Sequence, residues 1–115
     1  MHHKIDLTRL QEFFQHVTAL EALEILCNIF EAPNSRVFVD GLYFSLKELL
    51  TLPKYWANIA ADELEIQFYG GPPGKGRHFN GTLLTMLLDH AAFQLAKGKF
   101  HVVGQALSKV KATCK

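Results

Sequence analysis

Residues 36–45 read RVFVDGLYFS, and the Asp40-Gly41 pair at their centre leaves little choice of local fold. A two-residue loop whose twist matches its flanking strands needs positive φ at both central positions. Asp tolerates that conformation and Gly takes it without strain. Alternation around the pair puts Val37, Val39, Leu42 and Phe44 on one face and Phe38 and Tyr43 on the other. The stretch is predicted to be a β-hairpin with both faces at least partly covered. Residues 63–69 alternate as cleanly, with Leu64, Ile66 and Phe68 inward and Glu63, Glu65 and Gln67 outward, the pattern of a half-buried strand.

Helix signals surround these strands. Thr8 with Gln11, and Thr18 with Glu21, have capping-box spacing, so residues 7–31 are predicted as one bent helix or two short ones. Leu7, Leu10, Phe14 and Val17 recur at helical period in the first part, and Leu23, Leu26, Cys27 and Phe30 in the second. Glu21, Glu24, Asn28 and Glu31 form an acidic ridge opposite, the solvated side of such a helix. Ser45 with Glu48 starts a third helix through Leu50, Pro53 interrupts it, and Lys54–Ala60 is expected to resume helical turns. A loop over 70–81 leads to a helix from Thr82 to Lys97. The tail from Phe100 fits a helix face (Val103, Leu107, Val110, Cys114) and a strand face (Phe100, Val102, Ala106, Val110, Ala112) almost equally. Its β-branched residues favour a strand that closes the sheet.

With 115 residues there is no length for a second core. The expected fold is α+β, one compact domain over 1–115: N-terminal helices and one long apolar helix packed on a small antiparallel sheet that includes the 36–45 hairpin. No apolar run approaches the roughly 20 residues that cross a bilayer, so no membrane association is expected. Asp6, Arg9 and Glu12 argue against a cleavable signal peptide. Cys27 and Cys114 show no CxxC or zinc-like spacing. They read as a pair of free thiols in a reducing, cytoplasmic setting, with a disulfide the other reading.

Residues 71–78 read Gly-Pro-Pro-Gly-Lys-Gly-Arg-His between an expected strand and an expected helix. They resemble the Walker A turn of AAA-type ATPases, with Gly71 and Gly76 at its two glycine positions. The chain departs from that pattern where the chemistry lies. Arg77 stands at the phosphate-gripping lysine and His78 at the Mg²⁺-binding hydroxyl, and a planar guanidinium is no substitute for a compact ammonium there. No apolar strand ending in an acid follows, so no nucleotide hydrolysis is expected. A lesser role stays open, in which Gly74, Lys75, Gly76, Arg77 and His78 hold an anion at the start of the following helix; a plain surface loop is the competing reading.

The helix at 82–97 is apolar almost all round. Leu84, Leu87, Leu88, Ala91 and Leu95 make a broad inner face, while Met86 and Phe93 fall opposite, among Thr82, Asp89, His90 and Lys97. Either the helix is central and enclosed, or this side meets a partner. The segment NGTLLTMLLDHAAFQLA also resembles the central helix of hot-dog-fold thioesterases, with Asp89 as the matching acid. That fold needs several long strands after its helix, and only 18 residues follow Lys97.

Net charge is +1, yet residues 1–69 carry five basic and ten acidic side chains and residues 70–115 carry seven and one. Such asymmetry marks a partner surface, or two halves that neutralise each other on folding. A near-neutral total makes nucleic acid an unexpected partner, although Lys97, Lys99, Lys109, Lys111 and Lys115 gather near one end. The six histidines lack metal-ligand spacing, no nucleophile motif is present, and neither cofactor nor metal is expected. The function expected from sequence is a small non-enzymatic protein–protein interaction module, an adaptor, regulatory subunit or inhibitor. Its interface would be Met86, Phe93, Asp89, His90, Lys75 and Arg77, met by a protein partner or a second copy. The alternative is a small enzyme or ligand-binding domain that uses the 71–78 loop for an anionic group.

Overall fold

The computed structural model describes residues 7–29, 36–52, 56–70, 77–99 and 103–104. Two helices open it, α1 (Leu7–Phe14) and α2 (Ala19–Ile29). The hairpin follows as β1 (Arg36–Val39) and β2 (Leu42–Ser45), then α3 (Leu46–Leu49), β3 (Glu65–Gly70), β4 (Arg77–Thr82) and α4 (Leu83–Ala96). The four strands form one antiparallel sheet in the order β2-β1-β3-β4, and helices pack against it. The class is α+β.

The hairpin is built as its sequence predicts. Asp40 and Gly41 both carry positive φ, 51° and 80°, and Val37 pairs with Phe44 and Val39 with Leu42. Two of the three capping boxes form. Thr18 N–H donates to Glu21 Oε1 at 3.1 Å while Glu21 N–H donates to Thr18 Oγ1 at 3.2 Å. Ser45 and Glu48 exchange the same pair of bonds at 2.9 and 3.0 Å. Each satisfies two backbone donors that a helix start otherwise leaves open. Thr8, the first residue of the third expected box, lies inside α1, which includes Leu7, and so is not at the helix start. The break between α1 and α2 makes them two short helices. It is stitched to the stretch before β3 by Ala19 N–H to the Ile59 carbonyl (2.7 Å) and Ala61 N–H to the Val17 carbonyl (2.9 Å).

Two expectations fail. Residues 77–81, expected as loop, and Thr82, expected to open the helix, form strand β4, pairing with β3 from Glu65–Thr82 to Gly70–Arg77. The fourth strand of the described sheet is thus β4. Val103 and Gly104 are helical, with Val103 N–H directed at the Lys99 carbonyl 3.5 Å away. The rest of the tail, Cys114 included, lies outside the described residues.

Helix α4 has the predicted bounds. Thr82 is its N-cap, its hydroxyl accepting from the Thr85 N–H, and Lys97 is its C-cap. Its surroundings explain its composition. His90 packs edge-on against Phe68 of the sheet, ring centroids 5.5 Å apart, while Gln94 Nε2 donates to the Ile29 carbonyl of α2 at 2.7 Å. A helix held between a sheet and other helices buries more than one stripe. Leu83, Leu84, Met86, Leu87 and Ala91 join Val37, Val39, Ile66 and Phe68 from the sheet, Leu23, Ile25 and Leu26 from α2, and Trp56 in one core.

Candidate functional site: the open face of the sheet

The expected interface does not assemble. Met86 is fully buried, and only 3% of His90 is exposed. Both belong to the packing of α4 between sheet and helices, the central placement that the composition left open. Asp89 is exposed and Phe93 half-buried on the outer side, where the Lys97 Nζ sits 5.0 Å from the Phe93 ring centroid. Gly74, Lys75 and Gly76 lie outside the described residues.

The anion-binding reading loses its geometry as well. Arg77 and His78 belong to β4, so the glycine-rich segment joins two antiparallel strands. Helix α4 begins only at Leu83, and the helix N-terminus that would complete a phosphate cradle is not at that segment. Among the described residues no group of three or more His, Cys, Asp or Glu is placed to hold a metal ion, and no helix is long and apolar enough to cross a membrane.

What the structure brings together lies on the sheet. In a strand, successive side chains point to opposite faces. The register sends Val37, Val39, Phe44, Ile66, Phe68 and Phe79 toward the helices. The same register builds two rows on the other face. One runs Tyr43, Phe38, Gln67, Asn80 across the four strands, and the next runs Ser45, Arg36, Tyr69, His78. Helices cover the first face except at the hairpin end, where Leu42, paired with Val39, is 61% exposed. On the second, Tyr43 is 56% and Tyr69 40% exposed, Arg36, His78 and Asn80 are exposed, and Phe38, Gln67 and Ser45 are half-buried.

The side chains of this face contact one another. Phe38 and Tyr43 lie 4.9 Å apart between ring centroids, and the Arg36 guanidinium carbon sits 4.4 Å from the Tyr43 centroid. Tyr69 meets His78 edge-on at 5.3 Å, and its hydroxyl donates to Gln67 Oε1 at 3.0 Å. Ring pairs are favourable by roughly 0.5–1.5 kcal/mol and an exposed Arg over a ring by roughly 0.5–1 kcal/mol. The result is an aromatic surface in water, with two amides and a cation set into it.

The hairpin part of this face is legible from the alternation of Phe38 and Tyr43. The β3–β4 part is not, because β4, with the sequence RHFNGT, carries no apolar alternation of its own. Compared with protein-family models, curated proteins and solved structures, the chain matches none.

Proposed function

We propose that this chain is a non-enzymatic interaction module whose working surface is the open face of the four-stranded sheet. One observation carries the reading. A sheet covered on one face by helices keeps two tyrosines 56% and 40% exposed on the other, arranged with Phe38, Arg36 and His78 into a continuous patch. Folding already has its core on the covered side and gains little from rings left in water. Tyr and Arg are the side chains that carry binding energy where surfaces meet. The partner expected from sequence was a protein or a second copy docked on Met86 and Phe93; with Met86 in the core, the docking surface moves to the sheet. A cytoplasmic setting is part of the proposal and rests on the spacing of Cys27 and Cys114.

The test is capture from native lysate, with protein and nucleic acid both analysed in what is retained. Three folded baits are compared: wild type, Tyr43→Thr/Tyr69→Thr on the sheet, and Asp89→Ala/Phe93→Ala on the outer side of α4. Wild type and the helix variant should retain the same partner, and the sheet variant should lose it. Loss with the helix variant alone, or the same retained set from all three, contradicts the proposal.

A further inference from the structure

Resting on that reading, we propose that the open face binds single-stranded nucleic acid, stacking unpaired bases on Tyr43/Phe38 and Tyr69/His78. Three observations lead there. The first is composition. The described residues of this face are Arg36, Phe38, Tyr43, Ser45, Glu65, Gln67, Tyr69, His78, Asn80 and Thr82. None is Ala, Val, Leu, Ile or Met, whereas sheets that pack face to face interdigitate aliphatic side chains. Rings interleaved with amides suit planar ligands with hydrogen-bonding edges, which is how unpaired bases are held.

The second is spacing. Neighbouring strands lie about 4.8 Å apart and alternate residues about 6.8 Å along a strand. The Tyr43/Phe38 pair on β2 and β1 and the Tyr69/His78 pair on β3 and β4 are therefore offset diagonally, in adjacent rows of one face. By these spacings the centres of the two pairs lie about 12 Å apart, within the span of three extended nucleotides. Gln67 sits between them, beside Phe38 across the strands and Tyr69 along β3, to meet a base edge. Two ring pairs so placed suit two or three nucleotides.

The third is charge. Arg36 and Glu65 occupy opposite ends of the face, since Arg36 pairs with Tyr69, four residues along β3 from Glu65. Phosphates are thus drawn to the Arg36 end and kept from the other, which orients the strand. The near-neutral total charge that speaks against nucleic acid speaks only against binding dominated by phosphates. Here stacking supplies most of the affinity, so the salt dependence is shallow. With one or two phosphates engaged, the slope of log affinity against log salt is roughly −0.7 to −1.4.

The experiment is fluorescence anisotropy with labelled RNA and DNA probes of about eight nucleotides, each single-stranded and as a duplex. Wild type should bind a single-stranded probe and bind the duplex more weakly, and the RNA and DNA arms identify which chemistry is preferred. Tyr69→Thr, confirmed folded by circular dichroism, should weaken binding at least about fivefold. Tyr69→Phe, which keeps the ring, should stay within about twofold, and Arg36→Gln should flatten the salt slope by about 0.7. Failure of wild type to bind either single strand, preference for duplex, or undiminished binding by Tyr69→Thr overturns the assignment. If lysate capture still yields a protein lost with the sheet variant, the ligand class falls while the open face stands as the working surface.

Discussion

Gly41 and Gly98 carry φ of +80° and +79° for two different purposes. Gly41 closes the hairpin after Asp40. Gly98 ends α4: its N–H donates to the Leu95 carbonyl at 3.0 Å, and the Lys99 N–H donates to the Gln94 carbonyl at 2.9 Å. Those two bonds complete the Schellman pattern and satisfy carbonyls that the helix end leaves open. An added Cβ would meet nothing within 4 Å at either position, so substitution acts through backbone strain alone. Gly41→Ala and Gly98→Ala should each lower stability by about 1–2 kcal/mol, read as a reduced urea midpoint at unchanged slope. No change in either variant would mean that these turns are not formed as described. The Asp40-Gly41 turn is legible in sequence because its chemistry is local.

At the scale of elements, legibility follows how local each signal is. Both α2 and α3 open with capping boxes written in four consecutive residues, and β3 with a clean alternation. Strand β4 has no comparable pattern, because Phe79 is the one large apolar residue in its sequence RHFNGT. Gly81 is held small by its neighbours, since a Cβ there would come within 3.0 Å of Thr85 Oγ1 and 3.2 Å of the Phe79 ring. The strand exists through its pairing with β3, which no short window records. Helix α4 misleads for the opposite reason. Its bounds are clear, but counting one buried stripe places Met86 and His90 on the surface. A helix gripped by Phe68 on one side and by the Ile29 carbonyl on another has no single stripe. The consequence is measurable: Met86→Asp puts a carboxylate into a fully buried position and should cost about 3 kcal/mol or more, or unfold the chain. A folded Met86→Asp protein of wild-type midpoint would restore the helix face as a surface.

At the scale of the whole molecule, the two halves of the sequence interlock among the described residues. β4, from the basic half, pairs with β3 from the acidic half, and α4 is anchored on α2. The charge asymmetry does not carry the candidate surface, because Lys75, Lys109, Lys111 and Lys115 lie outside the described residues. The candidate surface comes from long-range register, which brings Tyr43, Phe38, Arg36, Tyr69 and His78 onto one face from three separate stretches of chain. Phe38 and Tyr43 are readable as neighbours from the hairpin; their meeting with Tyr69 and His78 is not. The central claim is that these rings serve binding and not the fold. It is tested most directly by urea denaturation of the Tyr43→Thr/Tyr69→Thr variant, in which β-branched residues keep the strand preference. A loss under about 2 kcal/mol, the sum of a few cross-strand contacts, is the predicted result. A loss of about 4 kcal/mol or more, the scale of emptying a packed aromatic site, would mean that this face belongs to the core and contradict the account.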